Sequence, residues 1–512
     1  MEIIVVGGNM LHNKRKIILT IVIICLIGLV GLGISYAYWK FIYIQTDNNI
    51  AISKCLKLDM TNEKNEINLT NMYPISDEDG RKLTPYSFKI TNTCSMSAEY
   101  KVNLEMLEGT TLNSKYLASL VNNGDIKLLS SYDSTKTTIS GSVESRTLDT
   151  NILTPGASKE YSISLWMDKS VTLADDAQNK NFSAKVVIDA VMSTKTIQDM
   201  IIAQLDTAGK CPTVNDDGTV NVTSAESENS LLCSAPDNYG TSYYYRGNVQ
   251  NNYVYFANFY WRIVRINGDG SIRMIYDGTS AHENGEASED RLTGTSAFNE
   301  KYDDNAYVGY MYGTPNSSTY EETHANINDS TIKQYIDNWY ENNLKDTKYN
   351  LYLSDNLFCN DRSLASNNMG TGTAINITYY HWSSGPWETD SPNSSERLTC
   401  QQQENIFTVS NTSNGNGALK YSIGLLSTDE VILSGGWNNN NKYYLYSGQV
   451  YWTISPHIFD NNHAYIRVVD DTGSANNAGY ASSNYGVRII INLKPNSLKS
   501  GDGTINNPYV VE

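Results

Sequence analysis

The strongest constraint on this chain is an uncharged apolar segment near its N-terminus. Lys14, Arg15 and Lys16 precede a run of 23 uncharged residues, IILTIVIICLIGLVGLGISYAYW, which occupies positions 17–39. A helix of this length spans about 30 Å of hydrocarbon. Because the cations precede the run, the positive-inside rule predicts a cytoplasmic N-terminus and an exported remainder. We expect residues 10–40 to be a signal or transmembrane segment.

The fate of this segment has two outcomes that the sequence leaves open. Ser35 and Ala37 put small residues at the positions that signal peptidase reads, so cleavage between Ala37 and Tyr38 would release the protein. Without cleavage, the segment anchors the chain and the later domains lie outside the cell membrane. Met10 begins a normal positively charged leader, so residues 1–9 are predicted not to be translated.

The cysteines support an extracellular location. One of the seven lies inside the apolar segment, and the other six form three sequence-local pairs. An even number of cysteines in an exported chain predicts disulfides, although six cysteines allow fifteen pairings. Local pairing joins Cys55 to Cys94, Cys211 to Cys233, and Cys359 to Cys400. Since CxxC does not occur and the histidines are scattered, no metal site is predicted.

Composition limits the ligand class. The formal net charge is −17, which disfavours nucleic acid and anionic lipid as the main ligand. The chain contains 37 tyrosines and is crowded with Asn, Ser, Thr and Gly. This mixture is typical of β proteins with polar loops.

Residues 41–193 show a succession of short alternating strands. Tyr86, Phe88 and Ile90 alternate with polar residues, and after a polar turn the pattern resumes at 100–104, which predicts a hairpin. A Pro-Gly turn at 155–156 precedes a further strand, and FSAKVVIDAVM closes the region. Six or more such strands favour a β-sandwich domain over 41–193.

The start of this region resembles the TasA and camelysin family of exported proteins. The resemblance lies in GLGISYAYWKFIYIQTDNNIAISKCLKLDM, with Asn48, Leu58 and Asp59 in the family layout, and in a TPG turn before a strand that ends at Trp166. It implies a jelly-roll-like β-sandwich, and because some members of the family build extracellular matrix fibres, it leaves self-assembly open. Trp39 replaces a usual Phe.

Camelysins have been classed as metallopeptidases, but this chain lacks the HExxH motif of zinc proteases. The nearest approach is His457 with His463, whose spacing fits neither a helix nor a zinc finger. We therefore expect solvent-facing loop histidines, no cofactor and no peptidase activity. A GxSxG elbow is also absent from the sequence.

Residues 194–242 are predicted to be a short helix and a disulfide-stapled linker. Ile197, Ile201 and Leu205 form one apolar stripe at helical spacing. The following stretch is polar and poorly periodic. Asp216 and Asp217 precede a glycine, but the rest of a calcium loop is missing, so an ordinary turn is expected.

Residues 243–512 are predicted to form an α+β domain. Strands near 260–266 and 271–276 flank the turn NGDG, which indicates a hairpin. A helix is predicted behind the capping residues Asp329 and Ser330, because residues 332, 335, 336, 339 and 340 place apolar side chains on one face.

The same domain resembles a widespread bacterial domain of unknown function with the landmarks LLSxxEA, WWLRSP and GVRPALWL. Asp429 and Glu430 occupy the first landmark, Ser455 falls in the second, and Arg488 falls in the third. Ile489 replaces the usual Pro. The resemblance implies a mixed α/β fold that is broadly similar to the fold of C-type lectins.

Two sets of side chains stand out as candidate sites. Arg262 and Arg488 are expected to be buried structural arginines that bond backbone carbonyls. The loop GGWNNNNKYYLY carries Trp437, Tyr443 and Tyr444, whose rings and neighbouring amides match the chemistry of a weak sugar-binding site.

Two classes of function remain. The first is a non-catalytic bacterial cell-surface or extracellular protein that binds a glycan or a surface protein, or that associates with a matrix. The second is an envelope enzyme of unknown reaction. The lack of a catalytic motif favours the first class, without deciding whether the protein is an enzyme.

Overall fold

The computed structural model divides into two units, residues 1–194 and residues 195–512. The described residues are 40–44, 56–60, 67–94, 96–177, 179–193, 195–222, 229–365, 369–373, 377–381, 396–437, 439–460 and 462–511. Within these ranges, none of the helices combines the length and the apolar character that crossing a bilayer requires. The predicted membrane segment, with Ala37 and Tyr38, lies outside them and stays a prediction.

The N-terminal unit consists mainly of two antiparallel sheets. Its strands are β1 (Lys40–Ile44), β2 (Leu56–Met60), β3 (Ile67–Leu69), β4 (Tyr86–Asn92), β5 (Ala98–Leu107), β6 (Leu117–Val121), β7 (Lys127–Leu128), β8 (Asp133–Ser134), β9 (Ser142–Leu153), β10 (Ser158–Met167) and β11 (Phe182–Met192). A short helix, α1 (Asp77–Gly80), and the 3-10 turns Ser114–Tyr116, Leu129–Ser131 and Leu173–Asp175 connect them. The six-stranded sheet has the order β1-β11-β5-β9-β8, with β3 beside β11, and the five-stranded sheet has the order β2-β4-β10-β6-β7.

These two sheets share one apolar core. The alternation in β4 buries Phe88 and Ile90, and the alternation in β5 buries Val102 and Leu104, within a single cluster. Phe88 stacks on Tyr161 of β10 with ring centroids 5.2 Å apart. Because each sheet buries one face against the other, the predicted β-rich sandwich is confirmed.

The hairpin predicted after Pro85 is wrong, although both of its strands are right. Strand β4 pairs with β2 and β10, whereas β5 pairs with β9 and β11 in the other sheet. The Asn92 side chain donates hydrogen bonds to the carbonyls of Met96 and Leu153 at 2.8 and 2.9 Å. These bonds stabilise the connection that leads from β4 in one sheet to β5 in the other. Two alternating strands that face one core look alike whether they pair or oppose each other.

The C-terminal unit contains an eight-stranded sheet, a six-stranded sheet and three two-stranded ribbons. Its strands are β12 (Thr213–Val214), β13 (Val220–Asn221), β14 (Leu231–Asp237), β15 (Gly240–Arg246), β16 (Tyr253–Phe256), β17 (Phe259–Ile266), β18 (Ile272–Gly278), β19 (Thr295–Ala297), β20 (Met311–Tyr312), β21 (Asn328–Asp329), β22 (Phe358–Cys359), β23 (Thr378–Tyr379), β24 (Ile406–Phe407), β25 (Tyr451–Asp460), β26 (His463–Val469), β27 (Asn477–Tyr480), β28 (Asn484–Gly486), β29 (Ile490–Leu493), β30 (Leu498–Ser500) and β31 (Tyr509–Val511). The eight-stranded sheet runs β14-β15-β17-β16-β31-β30, with β18 between β17 and β29. The six-stranded sheet runs β19-β28-β25-β26-β27, with β23 beside β25.

Helices are short in this unit. They are α2 (Ile197–Ile202), α3 (Tyr320–Thr323), α4 (Thr331–Asn343) and α5 (Thr428–Leu433), with 3-10 turns at Glu289–Arg291, Asn305–Val308, Lys348–Tyr352 and Gln403–Asn405. The predicted helix is α4, which begins after the N-cap Ser330 and buries Ile332, Ile336 and Tyr340. The predicted NGDG hairpin is formed by β17 and β18.

The segment 194–242 is not a linker. The second unit begins at residue 195, and strands β14 and β15 belong to its main sheet, where β15 pairs with β17. Helix α2 ends at Ile202, and Leu205 instead bridges Leu232. Asp217 accepts hydrogen bonds from the backbone and hydroxyl of Thr219 at 3.0 and 2.6 Å, an ordinary turn. The sequence did not predict these two strands because the segment is rich in polar residues and its apolar and polar side chains alternate only weakly.

Two predicted disulfides are present. Cys211 bonds to Cys233 and Cys359 bonds to Cys400, which confirms local pairing for these four residues. Cys94 is also disulfide-bonded. Its predicted partner, Cys55, lies outside the described residues.

Candidate functional site

A pocket of about 20 Å³ in the C-terminal unit is lined by both signs of charge. We call it the charged pocket, and its lining residues are Arg265, Arg273, Leu357, Cys359, Asp361, His381, Arg397, Leu398, Thr399, Ser427, Asp429, Glu430 and Ser455. Ser427, Asp429 and Glu430 come from the first landmark of the predicted resemblance, and Ser455 comes from the second. Residues 28 positions apart in sequence thus meet because α5 packs beside β25.

The floor of the charged pocket is an ion network. Arg265 donates to Asp237 at 2.7 Å and to Glu430 at 3.1 Å, and Arg273 donates to Glu430 at 3.3 Å. All four side chains are at most 4% exposed. Burial raises the pKa of Glu430, but the guanidiniums of Arg273 and Arg265 outweigh burial and bring this pKa below its ordinary value. The four charges therefore balance one another.

The rim of the charged pocket is more open. Asp361 accepts from the backbone of Ser363 at 3.0 Å through Oδ1, and its Oδ2 lies 3.8 Å from Nδ1 of His381. The backbone N–H of Arg397 donates to Asp429 at 3.0 Å. The rim thus carries the acidic residues Asp361 and Asp429 together with the basic residues His381 and Arg397.

A second buried charge network explains the arginines singled out in the sequence. Arg291 and Arg488 both contact Oδ1 of Asp277, at 2.6 and 2.8 Å. Arg262 donates to the Val249 carbonyl, and Arg488 donates to the carbonyls of Tyr276 and Leu445. Arg262 and Arg488 are thus buried structural arginines, as predicted.

The loop predicted to bind sugar places its two adjacent tyrosines in the core. Tyr443 donates its hydroxyl hydrogen to the Gly473 carbonyl at 2.9 Å, and Tyr444 lies 2.9 Å from the Ser434 hydroxyl. Both tyrosines are fully buried, and Trp437 is half-buried against the same core. Burial withdraws the two tyrosine faces from any ligand, so a sugar site in this loop would depend on Trp437 alone and stays a prediction.

The prediction of solvent-facing loop histidines fails at His282 and His324, which are buried, and at His457, which is half-buried on strand β25. His324 is buried, and burial lowers its pKa to about 3. Burial likewise holds the pKa of His457 well below its ordinary value. His282 is also buried, with its ring nitrogens 2.9 Å from Glu286 and 2.9 Å from Asp290. Polar loop sequences around them gave no signal of this burial.

An aromatic row on the six-stranded sheet was missed by the sequence analysis. Tyr379 pairs with Ile458, Ile458 pairs with Tyr465, and Tyr465 pairs with Tyr480, across strands β23, β25, β26 and β27. Directly paired residues share a face, and all four keep exposed surface. The neighbours Ala464 and Ile466 are buried, so the row lies on the side away from the core.

Two further rings extend this row. His463 stacks on Tyr302 with centroids 5.0 Å apart and planes 8° apart, and it also lies 5.0 Å from Tyr480. Tyr465 and Tyr480 have centroids 4.7 Å apart. Tyr302 is 39% exposed and Tyr480 is 45% exposed. We call the six residues, Tyr302, Tyr379, Ile458, His463, Tyr465 and Tyr480, the aromatic face. Its sequence signal is the alternation in HAYI, where a histidine and a tyrosine occupy the outward positions.

No metal site accompanies these features within the described ranges, where no three His, Cys, Asp or Glu residues form a group suited to hold an ion. Comparison with known proteins adds no relative: no family model, no curated protein and no solved structure matches this chain.

Proposed function

We propose that this chain is an exported, non-catalytic bacterial surface protein that binds glycans through the aromatic face. The observation that carries the proposal is the in-register row from Tyr379 to Tyr480 on the outer side of a sheet. Outer faces of such sheets are normally polar. Exposed aromatic groups mark binding surfaces, and their apolar rings stack on the C–H faces of sugars.

Cross-strand packing is a weaker explanation for the same row. Aromatic pairs on neighbouring strands do stabilise a sheet. That role is satisfied by Tyr465 with Tyr480, however, and it does not account for Tyr302, which stacks on His463 while remaining 39% exposed. A row that spans four strands and includes the exposed Tyr480, next to a stack that includes the exposed Tyr302, fits a flat ligand better than it fits packing alone.

Export is the second part of the proposal. It rests on the apolar segment 17–39 and its preceding cations, and the disulfides Cys211–Cys233 and Cys359–Cys400 support it, because disulfides persist in oxidising compartments. The chain either stays anchored in the membrane by this segment or is secreted after cleavage at Ala37. Labelling of intact cells with an impermeant amine reagent tests surface exposure, and Tyr38 at the N-terminus of protein from culture medium would establish cleavage.

The two family resemblances fit this location. A jelly-roll-like N-terminal unit of the TasA and camelysin type would add matrix association or self-assembly. A C-type-lectin-like C-terminal unit would be consistent with glycan binding. An envelope enzyme is the competing function, and a catalytic turnover abolished by changes in the charged pocket would favour it.

Glycan binding is tested with the full-length protein on an array of neutral and acidic glycans. We expect Y480A to weaken binding by roughly 3- to 10-fold, the loss expected for one aromatic stacking contact. Y255A is the matched control, because Tyr255 is 37% exposed and also contacts a second tyrosine, Tyr260, at 5.2 Å. Equal effects of Y480A and Y255A, or no binding to any glycan, would reject the proposal.

A further inference from the structure

One acidic residue, Asp460, lies on the same side of the sheet as the aromatic face. It ends strand β25, where it pairs directly with His463 of β26, and Ile458 lies two positions before it. Residues two apart on a strand share a face, and so do directly paired residues. Phe459 between them is buried, whereas Asp460 and Ile458 keep exposed surface. The Asp460 side chain therefore lies on the outer surface beside the rings.

The Asp460 carboxylate is close enough to influence its neighbours. Paired positions on antiparallel strands place its Cβ atom about 5 Å from that of His463, and Ile458 is about 7 Å away along β25. Burial, the hydrogen bond with Tyr480 and the negative charge of Asp460 together raise the pKa of Tyr465 above its ordinary value. The negative charge is thus felt at the rings of the aromatic face.

The fold makes no use of the Asp460 carboxylate. In the described part of the chain, neither a hydrogen bond nor an ion pair joins it to another group. Asp470, just beyond the other end of β26, shows the usual structural role. Its Oδ1 accepts from the backbone N–H groups of Thr472 and Ser474, both at 2.9 Å, and so stabilises its own turn. Turn formation therefore does not explain an aspartate at position 460.

The rings of the aromatic face also carry no protein cation. Lysine and arginine groups lie over several rings within the described ranges, such as Arg262 over Tyr253 at 3.7 Å, but over none of the tyrosines of the aromatic face. Arg467, two positions beyond Tyr465 on β26, is only 9% exposed. The face of a tyrosine ring attracts cations. This surface therefore offers both electron-rich rings and a carboxylate to a ligand.

These groups favour a ligand with a positive charge. An acidic sugar would bring negative charge toward Asp460 and toward a chain whose formal net charge is −17. A neutral sugar can stack on the rings, but it leaves the charge of Asp460 unmatched. A protonated amine gains from both features, because the carboxylate accepts a charge-assisted hydrogen bond and the rings attract the cation. On a glycan, such a group is the free amine of an amino sugar.

We propose that Asp460 makes the aromatic face selective for glycans that carry a free, protonated amine, an inference that rests on the glycan binding proposed above. The sugar rings stack on the tyrosines, and the ammonium group donates to the Asp460 carboxylate. An N-acetylated sugar keeps the stacking but loses the charge, so it binds more weakly. Asp460 is thus a residue that determines specificity.

The test uses the full-length protein and three trisaccharides with the same β-1,4 linkage, built from glucosamine, N-acetylglucosamine and glucose. Titration calorimetry is performed at about pH 6, where a sugar amine is protonated. The affinity for the glucosamine trimer should exceed the other two by at least about 5-fold, as one exposed ion pair and one cation–π contact predict. D460N should lower the affinity for the glucosamine trimer by roughly 3- to 5-fold and leave the affinity for the glucose trimer unchanged.

Control variants separate the local carboxylate from net charge and from folding. D346N removes the same charge from an exposed position elsewhere in the unit and should keep the preference. D460E retains a carboxylate at the site and should also keep most of it. Urea unfolding verifies that each variant is folded, and D460S replaces D460N if the latter is destabilised. Trilysine supplies amines without sugar rings and should bind at least about 5-fold more weakly than the glucosamine trimer, because it cannot stack in the same way.

Each outcome supports or overturns a defined statement. A preference for the glucosamine trimer that is lost in D460N and kept in D460E and D346N supports the proposal. Equal affinity for the three trimers, with Y480A still weakening all of them, overturns amine selectivity and leaves glycan binding intact. Equal losses in D460N and D346N overturn Asp460 as the determinant, since net charge then explains the preference. Trilysine binding as tight as that of the glucosamine trimer overturns the sugar as the ligand class. No binding to any trimer overturns both proposals.

Discussion

Tyr100 and Tyr161 join the two sheets of the N-terminal unit through hydroxyl groups that lie 2.8 Å apart. Tyr161 donates its own hydroxyl hydrogen to Asp149 at 2.6 Å, so Tyr100 is the donor between the two tyrosines. The rings meet nearly edge to face, with planes 87° apart. Burial raises the pKa of both tyrosines far above the physiological range, so both hydroxyl groups keep their hydrogen and both hydrogen bonds persist at all ordinary pH values.

The direction of these two hydrogen bonds predicts that Y100F and Y161F have unequal effects on stability. Y100F removes one donor and leaves Tyr161 bonded to Asp149, so we expect a loss of about 1 kcal/mol in the free energy of unfolding. Y161F leaves the Tyr100 hydroxyl without an acceptor and leaves Asp149 with Lys159 at 3.1 Å, so we expect a loss of about 2 kcal/mol. Urea unfolding of the full-length protein measures both losses.

Tyr73, which is 78% exposed, supplies the control variant Y73F, which should leave the unfolding midpoint unchanged. A Y100F variant as unstable as Y161F would contradict the order of donors.

The two described disulfides are expected to stabilise the fold by different amounts. Cys359–Cys400 encloses a longer loop than Cys211–Cys233, with sequence separations of 41 and 22. Closing a longer loop removes more entropy from the unfolded chain, so the paired serine variant C359S/C400S should lose about 0.5 kcal/mol more stability than C211S/C233S. Each variant should lose roughly 3–4 kcal/mol relative to the oxidised protein. Thermal unfolding with and without reductant compares them, and a larger loss in C211S/C233S would contradict loop entropy as the cause.

The fold could be predicted from sequence where one face of an element is buried. The alternation of apolar and polar residues predicted β4, β5 and β10, and the helical spacing of apolar residues predicted α4. Both predictions succeed because the period of the apolar residues follows the buried face of the element. Pairing could not be predicted in the same way. The stretch from Tyr86 to Leu104 has the spacing of a hairpin, but its two strands belong to facing sheets, and the pattern of side chains is the same in both cases.

The candidate site was less predictable for a related reason. The aromatic face assembles Tyr379, Ile458, Tyr465 and Tyr480 from four strands, and only their register makes them neighbours. By contrast, the local run at Tyr443 attracted interest because its aromatics are adjacent in sequence, yet it packs into the core. Asp429, Glu430 and Ser455 were singled out through a resemblance, and the structure brings them together in the charged pocket.

Acid stability should depend on Asp290, which binds His282 at 2.9 Å. Burial raises the pKa of Asp290, but hydrogen bonds from Thr279, His282 and the backbone of Ser280 outweigh it and lower the pKa to about 2, from an ordinary value of 3.8. A lowered pKa contributes stability that is present above pH 3.8 and is lost as the pH falls toward 2. D290N should therefore unfold at a lower temperature at pH 5 and show a smaller decline between pH 4 and pH 2.

Melting temperatures measured from pH 5 to pH 2 test this dependence. D303N alters an exposed aspartate of the same unit and should keep the decline of the unaltered protein. An identical acid decline in D290N would assign the dependence to other carboxylates.

The ion network under the charged pocket predicts the largest single-residue effect. Oε1 of Glu430 lies 3.1 Å from Nε of Arg265 and 2.6 Å from Nε of Arg273, and all three side chains are buried. Replacing the carboxylate by an amide in E430Q leaves the two guanidiniums with Asp237 as the remaining carboxylate of the network. Uncompensated buried charge typically costs 3–5 kcal/mol, so we expect E430Q to lower the free energy of unfolding by about that amount.

The matched surface variant is E341Q, which removes a carboxylate bonded to Lys420 at 2.5 Å where the lysine is largely exposed. Water replaces that partner readily, so E341Q should leave the urea midpoint nearly unchanged. If E430Q and E341Q shifted the midpoint equally, the floor of the charged pocket would have to be accessible to solvent. The buried balance of charge among Arg265, Arg273 and Glu430 would then contribute little to stability, because water would screen these charges as effectively as it screens the lysine.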